Sequence, residues 1–194
     1  MVNQKIKVEK RRAATRDDWL QVTLDVLRER GIEGVKVVAI ARKIGLTSGS
    51  FYWHFGNIQD LLDAVLAYWE KSLTGHIIKD ALEFEGPPDE RIRLLMHQVI
   101  REDASMPDGA IAVWAKSDAT AAACFKRAMD RRFKFATVLF EEVGFPSRDA
   151  EIRGRMMVMT LMGETTNGLK QRQDWEDVID QHWRVLTDRD LSQK

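Results

Sequence analysis

Apolar residues recur at helical spacing along most of the chain, and no stretch shows the alternation of a half-buried strand. The clearest run has spacings of i, i+3, i+4, i+7 and i+8 and consists of Ile92, Leu95, Met96, Val99 and Ile100. Proline and glycine interrupt the pattern at 84–89, 105–109 and 144–147, where we expect turns. The pattern predicts an all-α fold of about nine helices, the longest at 118–143 and the last two at about 147–169 and 175–187.

Residues 37–55 predict two short helices joined by a tight turn. The apolar face of the first helix consists of Val37, Ile40, Ala41 and Ile44. Gly45 should end that helix, because glycine adopts a left-handed backbone at little cost. Thr47 is a good N-cap for the second helix, since its hydroxyl can accept a hydrogen bond from a free backbone N–H.

The second helix of the pair has an inner and an outer side. Phe51 and Phe55 are four residues apart, so both should face the first helix. The outer side carries Ser48, Ser50, Trp53 and His54. A helix, a glycine-containing turn and a second helix that starts with small polar residues are typical of a helix-turn-helix, whose second helix enters the DNA major groove. An ordinary helical hairpin explains the apolar positions equally well, but it does not explain two outward aromatic residues, Tyr52 and Trp53.

Charge is distributed unevenly, although the 194 residues have a formal net charge of zero. Residues 1–56 have a net charge of +5, and residues 57–194 have a net charge of −5. This asymmetry indicates a polyanionic partner at one end only. The basic residues 1–14 fit either a tail without specific contacts or an arm that contacts phosphates or the minor groove.

The composition suits a folded chain with a sizeable core, since 44% of the residues are hydrophobic. Cys124 is the only cysteine, so no intrachain disulfide can form, which fits a reducing compartment. Charged residues follow the basic start, which argues against a signal peptide. No apolar stretch approaches the roughly 20 residues of a transmembrane helix. We therefore expect a cytoplasmic protein without membrane contact.

The run 40–62, IARKIGLTSGSFYWHFGNIQDLL, closely resembles the DNA-binding domain of TetR-type regulators. The residues that fall on that pattern are Ile40, Ala41, Gly45, Thr47, Gly49, Tyr52, His54, Phe55 and Leu61. The resemblance covers residues 15 to about 66, and the remainder is similar in size and helical character, with a segment at 114–118 seen in some members. Lys36 and Ile58 depart from the pattern, because the family usually has a capping Ser or Thr at the first position and often a lysine at the second.

The charge pattern predicts a basic flexible arm at 1–14. The resemblance implies a helix-turn-helix domain at 15–56 and a helical effector-binding and dimerisation domain at 57–194. It implies a repressor that binds an inverted-repeat operator in double-stranded DNA and is released by a small apolar or aromatic effector. The alternative is a regulator controlled by a protein partner without an effector. We expect DNA contacts from Lys36, Arg42, Thr47, Ser48, Ser50, Tyr52, Trp53 and His54, with Lys36 on a phosphate and Arg42 on a phosphate or a base.

The helix that starts near Asp149 carries apolar residues on two sides, whereas a surface helix needs only one apolar stripe. One side has Ile152, Met156, Met159 and Gly163, and the other has Val158, Leu161, Met162, Thr165 and Leu169. The second stripe fits either a homodimer or full burial in a monomer. The resemblance favours a homodimer through the last two helices, at about 149–187, because two-fold dimers place two DNA-binding helices ~34–36 Å apart.

An effector pocket would be mostly apolar with a few polar groups. The candidate lining residues are Trp69, Met96, His97, Ile100, Trp114, Phe133, Met159 and Met162. Methionines more often fill irregular gaps in a core than line a site, and a lone histidine is more often on the surface or bonded within the core.

The sequence does not indicate an enzyme. It contains no P-loop, no G-x-G-x-x-G and no His/Cys cluster with metal-ligand spacing. Cys124 has no nearby histidine to activate it and should act as a small hydrophobic residue. We therefore expect no catalytic residue, no cofactor and no metal.

Overall fold

A computed structural model describes residues 14–189, which contain nine α-helices and no strand. The helices are α1 (Arg16–Arg30), α2 (Val37–Ile44), α3 (Ile58–Tyr68), α4 (Gly75–Glu83), α5 (Pro88–Arg101), α6 (Asp108–Trp114), α7 (Ala119–Val143), α8 (Ser147–Thr166) and α9 (Trp175–Thr187). The predicted all-α fold is therefore confirmed. The basic arm predicted at 1–14 lies outside the described residues except for its last position.

The start of α1 is fixed by a capping box. The hydroxyl of Thr15 accepts a hydrogen bond from the backbone N–H of Asp18, and the Asp18 carboxylate accepts one from the backbone N–H of Thr15. Asp118 caps α7 in a similar way by accepting from the N–H of Ala121 at 2.8 Å. Ser147 does not cap α8, although its residue type suggests it. Pro146 holds the N-cap position, so Ser147 is the first helical residue and makes no capping bond.

Two hydrophobic clusters organise the described residues. The N-terminal cluster contains the inner residues of α1, α2 and α3 and continues into α6 and α7 through Ile111, Trp114 and Cys124. The C-terminal cluster contains the inner faces of α4, α5, α7, α8 and α9. The 25 residues of α7 extend over ~37 Å, and α7 contributes to both clusters. The packing around the N-terminal helices thus includes α3 and parts of the body.

Between α3 and α4 the helix changes its hydrogen bonding. A π turn covers Trp69–Leu73, and α4 begins at Gly75. The apolar spacing after Asn57 predicts one long helix, and this interruption is not visible in it. Trp69 is fully buried, and π turns inside helices occur frequently at functional sites.

The last helix is fixed to α5 by a partly buried ion pair. Arg93 donates two hydrogen bonds to the carboxylate of Asp180, at 2.7 and 2.9 Å. His97 Nε2 lies 2.7 Å from the same carboxylate, and Trp183 Nε1 donates to the Asp89 carbonyl at 2.9 Å. The hydrogen bonds from Arg93, followed by that from His97, lower the pKa of Asp180 to about 2, against the opposing effect of burial.

Replacing Asp180 by Asn should lower the free energy of unfolding at pH 7 by about 2 kcal/mol, because one pKa unit corresponds to ~1.4 kcal/mol. The pKa of this carboxyl is lower in the folded state than in the unfolded chain. Its contribution is therefore complete above about pH 4 and is lost as the pH falls toward 2. Urea unfolding at pH 7 and at lower pH should show the difference between Asp180→Asn and the parent protein shrinking as acid is added.

The matched control is Glu85→Gln, since Glu85 is exposed in the loop before α5 and should leave the free energy of unfolding nearly unchanged. A difference for Asp180→Asn that stays constant between pH 7 and pH 3 would contradict the assigned ion pair.

Candidate functional site

The turn after α2 has the conformation that the sequence predicts. Gly45 has φ 79° and ψ 30°, which is the left-handed region. Its N–H donates to the carbonyls of Ala41 and Arg42, and the N–H of Leu46 donates to Ala41 at 2.8 Å. These bonds satisfy the last carbonyls of α2 and direct the chain sharply away from that helix.

The segment that follows is a 3-10 helix, Ser48–Trp53, and not the α-helix that the sequence predicts. The predicted N-cap role of Thr47 is wrong as well, since its side chain makes no capping bond. The Ser50 hydroxyl instead donates to the Thr47 carbonyl at 2.5 Å, and the Ser50 N–H bonds to the same oxygen at 3.2 Å. These i to i−3 bonds tighten the turn, and the exposed Thr47 has its hydroxyl free for another partner.

The inner side of the 3-10 helix is held by aromatic packing. Phe51 and Phe55 are 0% and 4% exposed, and their rings stack with centroids 5.4 Å apart. Trp19 of α1 packs edge-on against Phe51 at 5.6 Å. The predicted inner position of both phenylalanines is confirmed, and such aromatic packing fixes the segment rigidly on α1.

The outer side presents aromatic and small polar residues. Trp53 is 89% exposed and Tyr52 is 66% exposed, whereas Ser48, Ser50 and His54 are half-buried. The outward position of Trp53 is therefore confirmed. An indole left almost entirely in water on a rigid segment indicates a surface that contacts a partner.

Cations without a partner among the described residues flank this surface. Lys36 and Arg42 are exposed and make no hydrogen bond or ion pair with residues 14–189. Lys43 is different, because it pairs with Glu29 at 2.6 Å. Together with Arg30, these three residues line a shallow groove between α1 and α2. The sequence reasoning did not single out Arg30 and Lys43, although both lie in the basic N-terminal part.

Helix α8 is apolar on two sides, as predicted. Its inner residues Val158, Leu161 and Thr165 are buried, whereas Ile152, Met156 and Met159 are 42%, 51% and 50% exposed. A side chain added at Gly163 on the exposed side would meet nothing within 4 Å. On α9, Val185 is exposed. One apolar stripe of α8 therefore has no partner within the described chain.

The eight residues predicted to line an effector pocket are not gathered around one cavity. Trp69 and Trp114 are buried in the N-terminal cluster, and Met96, His97 and Ile100 are buried on α5. Phe133 and Met162 are half-buried, while Met159 lies on the exposed side of α8.

A cavity of about 60 Å³ lies instead between α4, α5, α7 and α8, and none of those eight residues lines it. Its apolar walls include Ile77, Leu95, Val99, Met157 and Leu161. Its polar end is formed by Thr74, Ser105 and Arg132.

A buried network connects this polar end to the end of α3. Both carboxylate oxygens of Asp108 accept hydrogen bonds from Arg132, and Trp69 Nε1 donates to Asp108 at 2.8 Å. Arg132 also donates to the Thr74 hydroxyl at 2.7 and 3.1 Å. Asp108 is 1% exposed, so the network is shielded from solvent. One α-helix, α7, thereby contacts both ends of the π turn.

The sequence does not reveal this network, because Asp108 lies between Pro107 and Gly109, where the pattern predicts a turn. One signal was available. Arg132 is four residues from both Ala128 and Ala136, which are 0% and 1% exposed, so a cation interrupts a buried face of α7.

Cys124 is buried, as predicted, and its burial raises the pKa of its thiol to about 11. A thiol with such a pKa is protonated at neutral pH and is a poor nucleophile. Among the residues that the structure describes, no group of three His, Cys, Asp or Glu side chains could hold a metal ion. No described helix is long and apolar enough to cross a membrane.

Comparison with known proteins gives matches to one family and to several regulators. A sequence model of the family described as "Bacterial regulatory proteins, tetR family" matches residues 20–65. The chain is 26% identical over 94 residues to the HTH-type transcriptional regulator AcrR of Shigella flexneri. It is 40% identical over 53 residues to the HTH-type transcriptional regulator SrpR of Pseudomonas putida.

These two matches cover 48% and 27% of this chain, and the chain spans only 44% and 25% of the lengths of the two relatives. The structural likeness is more extensive. A TetR transcriptional regulator from Legionella pneumophila superimposes with a TM-score of 0.71 at 15% identity, covering 88% of this chain and 98% of that one. The family model, the sequence matches and the shared fold all support a TetR-type regulator.

Proposed function

We propose that this protein is a sequence-specific DNA-binding transcriptional regulator. The observation that carries the proposal is the 3-10 helix, which is fixed on its inner side by Phe51 and Phe55 and presents Trp53, 89% exposed, on its outer side. Base-edge contacts need side chains held at a fixed position. Lys36 and Arg42 next to it are exposed and pair with no residue in 14–189, so they are suited to contact phosphates.

Thr47, Ser48, Ser50, Tyr52 and His54 complete the proposed contact set. The small residues at the start of the segment let the backbone approach the groove closely, and the aromatic residues add apolar contact area. Phosphate contacts set the position of the protein on the duplex, whereas contacts to the base edges give specificity.

The proposed assembly is a homodimer in which α8 and α9 of one protomer pack on those of its partner. The exposed stripe of Ile152, Met156 and Met159 supports this assembly, since burial of apolar surface is the main driving force of association. A two-fold dimer carries two copies of the DNA-binding surface and therefore fits an inverted-repeat operator.

In the proposed mechanism a small apolar effector binds the body and releases the protein from its operator, so that the protein acts as a repressor. The effector must bind one orientation of the DNA-binding units more tightly than the other, and a coupling of ~1–3 kcal/mol would be ordinary. The buried network from Arg132 to Trp69 is a physical connection between the cavity and α3.

The second candidate is a DNA-bound regulator controlled by a protein partner. The size of the cavity supports this candidate, because about 60 Å³ is far below the ~300–1,000 Å³ of typical ligand pockets. Effector binding at this site therefore requires either a small ligand or displacement of the cavity walls.

Replacing Trp53 by Ala should weaken binding to specific DNA at least tenfold and binding to random DNA much less, because contacts to the base edges distinguish one DNA sequence from another. The specific site would come from genomic fragments captured by the protein, and affinities would be measured by fluorescence anisotropy. Val113→Ala is a matched control, since Val113 is 62% exposed on α6. Equal losses on specific and random DNA would contradict base readout by Trp53.

Replacing Lys36 or Arg42 by Gln should reduce the slope of log K against log salt concentration by about one for each phosphate that the protein no longer touches. The affinity should fall on every DNA sequence, since phosphates carry no sequence information. Lys134→Gln is the control, because Lys134 is an exposed lysine on α7. A slope that does not change on substitution would show that the replaced residue binds no phosphate.

Replacing Met159 by Glu should convert a dimer into monomers at micromolar concentration, because the charge would be buried without a partner in the proposed interface. Sedimentation velocity would measure the mass. Leu82→Glu is the control, because Leu82 is 63% exposed on α4. A parent protein that sediments as a monomer, or a Met159→Glu variant that remains dimeric, would contradict the proposed interface.

A further inference from the structure

The polar end of the cavity contains a hydroxyl that bonds to none of the described side chains. Thr74 and Ser105 are 4% and 6% exposed, and both line the cavity beside Arg132. The Thr74 hydroxyl accepts from Arg132, whereas the Ser105 hydroxyl makes no hydrogen bond to the side chains described in 14–71 and 74–189. A serine hydroxyl can donate one hydrogen bond, so Ser105 can donate to an acceptor that enters the cavity.

Arg132 adds a second donor to the same end of the cavity. Its guanidinium has five N–H groups, and four of them are used in the bonds to Asp108 and Thr74. One N–H on Nη1 is left. The polar end therefore carries two potential donors, a hydroxyl and a guanidinium N–H, on residues that both line the cavity.

The charge of the polar end determines which ligands fit. Asp108 accepts three hydrogen bonds, two from Arg132 and one from Trp69, which is the role of an ionised carboxylate. The ion pair is therefore neutral as a whole. The carboxylate of an anionic ligand would add a negative charge that no cation in this site compensates. A cationic ligand would be repelled by the positive charge of Arg132. Both are unfavourable in a site of this burial.

We propose that the cavity binds a small neutral molecule with an apolar body and a single carbonyl oxygen, such as a ketone or an ester. Its oxygen accepts hydrogen bonds from Ser105 and Arg132, and its carbon chain packs between Ile77, Val99 and Leu161. This assignment rests on the effector binding proposed above and specifies the chemical class of the effector. It excludes fatty acids and amines of the same length.

The volume limits the size of the ligand. An apolar cavity of ~150 Å³ holds one benzene molecule, so about 60 Å³ holds the head of a short methyl ketone. Longer chains must displace α4, which forms one wall through Ile77 and Ile78. Displacement of α4 would act on the Thr74–Arg132 contact and thereby on Trp69 at the end of α3.

Methionine methyl NMR on the full-length protein tests this proposal. Met157 lines the cavity and is 2% exposed, whereas Met159 lies two residues later on the exposed side of the same helix. At pH 7, 2-pentanone should shift the Met157 methyl signal with saturation and leave the Met159 signal in place. Its dissociation constant should be at least about tenfold lower than that of pentanoate.

The variant Ser105→Ala should raise the dissociation constant for 2-pentanone about fivefold, the typical effect of removing one hydrogen bond. Ser147→Ala, at an exposed serine on α8, should not change it. Equal affinity for pentanoate would overturn the neutral class of ligand. Circular dichroism would confirm that Ser105→Ala is folded, and an unchanged affinity of this variant for 2-pentanone would overturn the proposed hydrogen bond. If 2-pentanone did not shift the Met157 signal of the parent protein, the site itself would be overturned.

DNA binding measured on the same samples separates this inference from the proposed function. A protein that binds 2-pentanone at Met157 but binds no DNA would contradict the proposed function and leave the ligand site standing. A protein that binds DNA but shows no Met157 shift would contradict the ligand site and leave DNA binding standing.

Discussion

The buried ion pair between Asp108 and Arg132 is the interaction on which the connection between the two parts of the molecule depends. It joins α6 to α7, and through Trp69 and Thr74 it also fixes both ends of the π turn between α3 and α4. Removing one partner of a buried pair leaves an uncompensated charge and typically costs ~3–5 kcal/mol. That cost reflects the charge left behind and does not mean that the pair adds net stability. The pair does strongly restrict how α3 can be placed against α6 and α7.

This restriction explains how a small change in the body could reach the DNA-binding surface. Trp69 belongs to the N-terminal cluster, whereas Thr74 and Arg132 line the cavity in the body. The two environments are separated by one π turn, and α7 packs against both. Packed interiors have discrete arrangements and deform little between them. A shift of α4 relative to α7 would therefore move the end of α3, and with it the helices that pack on α3, as a unit.

The sequence predicted most of the fold because the relevant signals are local. Gly45 ended α2 in a left-handed conformation, Thr15 and Asp18 formed a capping box, and Phe51 and Phe55 packed inward. The 3-10 helix was not predicted, because Phe51 and Phe55 have a spacing that also suits an α-helix. The bond from the Ser50 hydroxyl to the Thr47 carbonyl, which tightens this turn, depends on a side-chain rotamer that no spacing rule contains.

The lining of the cavity could not be predicted for a different reason. The sequence indicates Trp69, Trp114 and Met96 as lining residues because they are apolar, but these three are at most 3% exposed and fill space in the packed core. None of them lines the cavity. A cavity forms where helices are separated by smaller or unevenly matched side chains, such as Val99, Ala104 and Ser105. That separation is set by α7 and α8, which approach each other closely at Gly154, where a Cβ would lie 2.8 Å from the Thr137 nitrogen. Because α7 and α8 are fixed together there, entry of the proposed ligand would displace α4. Helix α4 begins beside Thr74, the residue through which Arg132 contacts the end of the π turn.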